Sequence, residues 1–355
     1  MEGLERLMRV LLTGSDGYLG SLAGPAVSDA GHEVTGLDTG FFRAGWLYTP
    51  PVRQIPVISR DLRTISHDDL DGFDAIVHMA ELSNDPMGQL DPNLTHEINH
   101  QSTMRMVGIA KEVGISRFIY MSSCSVYGVA TGADVTEEAS FNPQTAYAEC
   151  KMLVERDLAP LANDNFHPTF LRNSTAFGAS PRMRMDIVLN NLCGHAKVNG
   201  EIRMQSDGTP WRPLVHGLDI AKAIQCVLAA DPGVVHNQAF NVGSNEQNYQ
   251  VKEIAEIVAG VFPGCELSFG DSTGDNRSYR VNFDKISTQL PGFSCDWNAE
   301  RGAQQLASLF AAIDFNQEDF DGRRYTRLKQ LQYLIDTAQV DAKLFWNPPA
   351  DRVPA

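Results

Sequence analysis

The stretch Val10-Leu11-Leu12-Thr13-Gly14-Ser15-Asp16-Gly17-Tyr18-Leu19-Gly20 constrains this chain more than any other. A short apolar run feeds three glycines spaced three apart, and a helical pattern follows. Glycine permits a tight turn and lets bare backbone N–H groups approach a phosphate at a helix N-terminus. Alone, the pattern also fits an ordinary strand–turn–helix. A dinucleotide-binding βαβ unit further needs an acid about twenty residues on. His32-Glu33-Val34-Thr35-Gly36-Leu37-Asp38 meets that need as a second strand ending in Asp38. A carboxylate there takes the adenosine ribose hydroxyls and repels a 2′-phosphate, which favours NAD over NADP.

The surrounding rhythm supports this reading. Strand-like runs at Arg9–Thr13, Glu33–Leu37, Gln54–Ile58, Ala75–Met79, Arg117–Met121 and Thr169–Leu171 alternate with helical patterns at roughly 18–30, 91–113 and 144–162. Short, mostly apolar strands separated by helices predict a parallel sheet covered on both faces, with its ligand across the carboxyl ends of the strands. The expected fold class is α/β, a Rossmann-type doubly wound parallel sheet with a smaller C-terminal α/β substrate domain. Residues 1–172 form the NAD-binding part, with returning segments near 213–245, and 173–355 are mainly substrate-binding. After residue 172 helices are expected at Asp186–Val198, Asp219–Ala230, Val251–Val261 and across 301–345, and strands at Glu201–Met204 and Phe240–Val242. Arg323, Arg324, Arg327 and Lys329 read as a solvated basic face or an intersubunit contact.

Charge and cysteine usage narrow the partners. A formal net charge of −15 argues against non-specific binding to nucleic acid or an anionic membrane, although a few local arginines can still make an anion pocket. Six cysteines, at 124, 150, 193, 226, 265 and 295, show no Cys-x-x-Cys or zinc-like spacing, so free thiols and no metal site are expected. The first residues lack a signal-peptide pattern, and no apolar run reaches the roughly 18–20 residues that span a bilayer. A cytoplasmic protein is the expectation.

Two further stretches carry chemistry. Tyr147-Ala148-Glu149-Cys150-Lys151 puts Tyr147 and Lys151 on one helix face. A tyrosine is a base near neutral pH only if its pKa falls well below about 10, and a lysine ammonium one turn away favours the phenolate. On its own this pair also describes an ordinary helix surface. Upstream, Arg117-Phe118-Ile119-Tyr120-Met121-Ser122-Ser123-Cys124-Ser125-Val126-Tyr127-Gly128 is a strand ending in a hydroxyl-rich turn. A serine there can hold the substrate oxygen that Tyr147 deprotonates.

Taken in this order, these motifs are similar to those of the extended short-chain dehydrogenase/reductases, in particular the NAD-dependent nucleotide-sugar epimerase/dehydratase branch. The resemblance covers nearly the whole chain. Asp61-Leu62-Arg63 resembles the segment by the adenine, Val77-His78-Met79-Ala80 the strand beneath the cofactor, and Asn99 the family's supporting helix asparagine. Leu171-Arg172 through Phe177-Gly178 resembles the crossover into the substrate part, and Phe240-Asn241-Val242-Gly243 the family's Asn-Val-Gly strand end. The resemblance implies catalysis by Ser123, Tyr147 and Lys151. It implies a cofactor set of Gly14, Asp16, Gly17, Tyr18, Leu19, Asp38, Asp61, Leu62, Met79, Ala80 and Asn99 together with Tyr147 and Lys151. Trp211-Arg212-Pro213-Leu214-Val215-His216-Gly217-Leu218-Asp219 resembles the segment whose arginine contacts the substrate diphosphate, which nominates Arg212. Arg277 or Arg280 is the second phosphate candidate. The remaining implied substrate contacts are Glu81, Ser83, Cys124, Ser125, Asn173, Thr175, Arg182 and Asn190.

The departures bear on the reaction. Family 4,6-dehydratases place an Asp-Glu pair after the catalytic hydroxyl, whereas this chain has Cys124 and Ser125. Cys124 reads as a buried inert thiol or as a base with a lowered pKa. Glu81 stands where many relatives have a small residue and reads as a pocket, capping or solvated residue; Thr175 stands where an asparagine is common. Ser83-Asn84-Asp85-Pro86 and Ser180-Pro181-Arg182-Met183-Arg184-Met185-Asp186 belong to a subgroup and are expected on the sugar side of the cleft. The expected activity is epimerisation of a nucleotide-diphosphate sugar through a transient keto-sugar, with NAD retained, in carbohydrate biosynthesis. A dehydratase, decarboxylase or ketoreductase of the same family is the alternative, and a non-catalytic dinucleotide sensor the rival of another class. A homodimer through the helices near 91–113 and 144–162 is a family expectation.

Overall fold

The computed structural model describes residues 7–49, 55–83, 91–129, 134–271 and 278–348. Its centre is a seven-stranded, wholly parallel sheet built from β1 (Arg9–Thr13), β2 (Glu33–Asp38), β3 (Val57–Ser59), β4 (Ala75–His78), β5 (Arg117–Ser123), β6 (His167–Asn173) and a later strand, Gln238–Val242. Its order is β3-β2-β1-β4-β5-β6 followed by that later strand. Strand order reverses between β1 and β4, so a crevice opens beyond their carboxyl ends. Leu11, Leu12, Ile76 and Val77 are fully buried, as a sheet covered on both faces demands. The helices Gly20–Asp29 and Gly217–Ala229 cover one face; Ser102–Glu112 and Ala146–Leu158 cover the other. The chain thus has the expected Rossmann-type α/β fold.

Beyond β6 the chain adds β7 (Thr175–Phe177), β8 (Glu201–Arg203), β9 (Trp211–His216), β10 (the Gln238–Val242 strand of the main sheet), β11 (Asn248–Gln250) and β12 (Glu266–Ser268). β7, β9 and β11 make a three-stranded sheet, and β8 pairs with β12. Helices Val188–Asn199, Val251–Val261 and Ala299–Ala312 close around Phe177, Leu189, Ile254, Leu306 and Phe310 as a second core.

The tail differs from a continuous helix over 301–345. It breaks at Asp314, with φ +52°, and after Arg327–Asp336 continues as a non-helical strap that folds back on itself, Val340 bridging Trp346. Leu331, Leu334, Val340 and Leu344 pack on Phe41, Leu82 and Leu94. The Trp346 indole donates to the Thr39 carbonyl at 2.7 Å, and Arg63 donates to the Lys343 carbonyl at 2.6 Å with its guanidinium 3.6 Å over the Phe345 ring. No described helix is long and apolar enough to cross a membrane.

Candidate active site

A cavity of about 920 Å³ runs along the carboxyl edge of the sheet, from Asp38 and Asp61 at one end to Thr175 and Arg212 at the other. That is ample for a bound small molecule, most of which it would enclose.

The glycine loop forms one wall. Gly14 has φ +76°, and a Cβ there would lie 2.9 Å from Met79 and Ala80 backbone atoms. A Cβ on Gly20 would lie 2.2 Å from the Gly14 carbonyl oxygen, so the helix start can close on the turn only without side chains. Gly14, Gly17, Tyr18 and Leu19 line the cavity, and the helix Gly20–Asp29 begins behind them. Asp38, at the end of β2, accepts the Asp16 amide at 3.0 Å and the Gly40 amide at 2.7 Å. Burial lifts its carboxyl to about 6 against the pull of the Gly40 amide. Asp61 grips Arg63 through both oxygens, at 3.0 and 2.6 Å.

The floor is held by buried polar contacts. His78 bridges the Thr13 and Thr103 hydroxyls at 2.7 and 2.8 Å, and burial pulls its imidazole down to about 3, so it stays neutral. Thr13 Oγ1 in turn accepts the Met79 and Ala80 amides, each at 3.2 Å. Asn99 is not on the cavity wall. It sits on a π-turn, Glu97–Gln101, accepting the Leu82 amide at 2.8 Å and donating to the Leu82 carbonyl at 3.0 Å. Its place is support for the segment after β4.

Ser123, Tyr147 and Lys151 converge on the middle of the cleft. Ser123 ends β5, and its Oγ accepts the Ser125 amide at 3.1 Å, capping the short turn Cys124–Tyr127. Thr145 caps the helix Ala146–Leu158 through the Ala148 amide at 3.2 Å, so Tyr147 stands in its first turn. Lys151, one turn on, brings Nζ 5.5 Å from the centre of the Tyr147 ring. Nζ also donates to the Met121 carbonyl and meets Glu81 Oε2 at 2.6 Å. Glu81 is buried, and its Oε1 accepts the Tyr120 hydroxyl at 2.8 Å. Burial raises its carboxyl above the ordinary range, against the lowering pull of Lys151. Below this group, Glu155 holds Arg172 at 3.0 and 2.7 Å and accepts the Ser122 hydroxyl, locking β5, β6 and the Tyr147 helix together.

Glu81, Ser83, Ser125, Asn173, Thr175 and Arg212 line the cavity. Ser125 Oγ and Asn173 Oδ1 are buried without a hydrogen-bond partner, and such atoms favour a ligand that supplies one. Four nominated substrate contacts sit elsewhere. Cys124 is fully buried behind the strand end, donating to the Arg172 carbonyl at 3.1 Å, and burial pushes its thiol up to about 12. A thiol turned away from the cleft in this way suits the inert reading rather than a thiolate base. Arg182 is buried under Trp46, its guanidinium 4.0 Å from the ring, and caps the Phe42 and Arg43 carbonyls. Asn190 accepts the Gly178 amide at 2.9 Å and donates to the Arg184 carbonyl at 3.0 Å. Arg280 pairs with Asp134 at 3.2 Å and lies over Trp211. Arg277 and Asn84–Pro86 lie outside the described residues. Asp16 is also off the wall; its carboxylate meets Arg43 at 2.9 Å.

Arg184 and Arg327 are among the wall residues not foreseen individually. Arg184 holds Asp186 at 2.8 and 3.1 Å and reaches Ser83. Arg327 is only 2% exposed, against its reading as part of a solvated face. It stacks 4.2 Å from the Phe42 ring and donates to the Arg182 carbonyl at 3.0 Å, while its Nη1 is buried without a hydrogen-bond partner. A tail helix gives no local signal for a pocket residue; only the packing of that helix's first turn against Phe42 and Arg182 brings Arg327 to the cavity wall.

A model of the NAD dependent epimerase/dehydratase family matches residues 10–243. The chain belongs to that family. Its cofactor is NAD, and the open glycine wall, Asp38 and the unpartnered Arg327 nitrogen suit an anionic dinucleotide. Over 265 residues the chain is 26% identical to UDP-glucose 4-epimerase of Corynebacterium glutamicum, covering 70% of this chain and 79% of that one. It is 25% identical over 287 residues to UDP-glucuronic acid decarboxylase 1 of Xenopus tropicalis, covering 77% and 65%. The solved NAD-dependent NDP-hexosamine 5,6-dehydratase TunA superposes with a TM-score of 0.76 at 21% identity, over 86% of this chain and 99% of that one. Relatives with one architecture thus run different reactions. Family membership establishes an NAD-dependent enzyme, and the net reaction has to be argued from the cleft.

Proposed function

We propose that this enzyme is a nucleotide-sugar epimerase that oxidises a sugar hydroxyl to a transient ketone and reduces it from the other face. Bound NAD would supply reversible hydride exchange at the sugar carbon. Gly14, Gly17, Tyr18, Leu19, Asp38, Asp61, Leu62, Met79 and Ala80 hold the cofactor, with Arg327 supplying a cation above the glycine loop. Ser123 orients the reacting hydroxyl. Tyr147, as phenolate, takes its proton and later returns it, and Lys151 stabilises the phenolate. Arg212 takes the substrate diphosphate, for which a guanidinium is well shaped, and Ser125, Asn173 and Thr175 meet the sugar.

One observation carries this choice over elimination of water. The hydroxyl Ser123 is followed by a buried inert thiol and a serine rather than by carboxylates. Dehydration needs one group to protonate the leaving hydroxyl and another to take a carbon-bound proton. Among the described wall residues, Glu81 and Asp186 are held by Lys151 and Arg184, while Asp38 and Asp61 lie at the adenosine end. Epimerisation needs neither group. A homodimer through the helices Ser102–Glu112 and Ala146–Leu158 belongs to the same proposal. Tyr147→Phe tests it: turnover of the true substrate drops by about 10²–10⁴, and unchanged turnover contradicts the mechanism.

A further inference from the structure

The Tyr147–Lys151 pair has a third member. A lysine that lowers the pKa of a neighbouring phenol does so through its unopposed positive charge. Here that charge is opposed at contact distance. Glu81 Oε2 lies 2.6 Å from Lys151 Nζ, and the two side chains are 1% and 4% exposed. The carboxylate is fixed from behind by the Tyr120 hydroxyl at 2.8 Å, and the ammonium sits 4.6 Å over the Tyr120 ring. Glu81, three residues beyond β4, is therefore locked against Tyr120 of β5 and against the helix that carries Tyr147.

The remaining charged and titratable groups leave this opposition intact. From β4, His78 is neutral. From β5, Tyr120 is pushed well above its ordinary range by burial and by Glu81. From the helix, Cys150 is pushed up to about 12 by burial, and Glu155 is neutralised by Arg172 at 2.7 Å. Glu149, also on the helix, faces His96 at 3.5 Å near the surface. Arg184 also acts on Tyr147 across the cleft, but it is held by Asp186 at 2.8 Å, and the ammonium of Lys151, 5.5 Å from the Tyr147 ring, is matched by Glu81. A tyrosine facing a bare ammonium and a cationic nicotinamide becomes too weak a base to take a proton from a sugar hydroxyl. The opposing carboxylate restores that basicity, while the ion pair keeps Nζ aimed at the Met121 carbonyl and the cleft.

We propose that Glu81 is a positioning residue that acts through Lys151, opposing its charge and thereby setting how strongly Tyr147 holds a proton. This rests on the reading of Tyr147 as the proton acceptor.

The test is a tyrosinate absorbance titration of the full-length NAD-loaded protein, taken as a difference against Tyr147→Phe in the same background. It needs no substrate. With Oε2 2.6 Å from Nζ and Nζ 5.5 Å from the centre of the Tyr147 ring, the carboxylate lies within about 8 Å of that ring, where a unit charge moves a titration by about 1–1.5 pH units. Glu81→Gln, which keeps the shape and removes the charge, is expected to lower the Tyr147 midpoint by that amount. Glu81→Asp, which keeps the charge, is expected to restore most of it. If Gln at this position gives no cooperative melt, Glu81→Met carries the same prediction. A midpoint that stays put or moves upward in the neutral variant, or an Asp variant that matches the neutral one, overturns the proposal. A shifted midpoint without turnover of any nucleotide sugar would instead overturn the epimerase reading and leave this one standing.

Discussion

Replacing Arg327 by methionine separates fold from cofactor binding with effects of opposite sign. The guanidinium is buried, one of its nitrogens has no hydrogen-bond partner, and burial together with the charge of Arg184 pulls it down to about 9. A base whose folded-state value is depressed destabilises the folded chain at every pH below that value, and the penalty fades only as pH rises above about 9. The buried charge therefore costs the cofactor-free fold stability at neutral pH. Methionine removes that penalty and keeps packing on Phe42, losing the bond to the Arg182 carbonyl, worth about 1–3 kcal/mol. The cofactor-free variant is therefore expected to melt no lower than the native chain. NAD binding is expected to weaken about tenfold to a hundredfold, the worth of one charge-assisted hydrogen bond of about 1.5–3 kcal/mol. Thermal melts with and without NAD, together with calorimetric titration, read both quantities. A variant that melts several degrees lower and binds NAD as tightly as before would refute the reasoning and make Arg327 a structural residue.

Other expectations follow from single contacts. Lys151→Met leaves Glu81 buried and unpaired, and is expected to destabilise by about 3–5 kcal/mol above neutral pH. Because the stranded carboxyl takes up a proton in the folded state, that loss should shrink as pH falls towards 4, and adding Glu81→Gln should recover much of it, as urea melts at two pH values would show. Cys124→Ala should leave the pH profile of turnover unmoved, since the thiol faces the Arg172 carbonyl and not the cleft; a displaced profile would restore a catalytic thiol. Trp346→Ala should speed NAD dissociation without altering the Tyr147 titration, because the indole ties the strap to Thr39 at the adenosine end.

The sheet was legible because its signals are local. An apolar run before each turn and glycines where backbone must approach backbone mark β1, β4 and β5 within a residue or two. Strand ends ran longer than foreseen at β5 and β6, where the last residues are polar and carry the site. Ser123, Tyr147 and Lys151 were legible for a related reason: a strand end and a helical spacing of four fix where those side chains point. Residues whose placement depends on long-range packing were harder to read. Asn190 sits at a helix start that resembles a substrate position, but its amide is consumed by Gly178 and Arg184. Arg182 and Arg184 are two apart in one run, and only the second reaches the cleft. The role of Glu81 stayed open because its partner, Lys151, is distant in the chain, and the pairing requires β4, β5 and the Tyr147 helix to be assembled.

In the proposed reaction the sugar leaves with one inverted centre and nothing lost. The most direct measurement is to incubate the purified, NAD-loaded protein with a panel of nucleotide sugars and follow product mass and stereochemistry together. The expected product has unchanged mass and inverted configuration, with no net build-up of NADH. A product lighter by water or carbon dioxide, or stoichiometric NADH, would contradict that reaction.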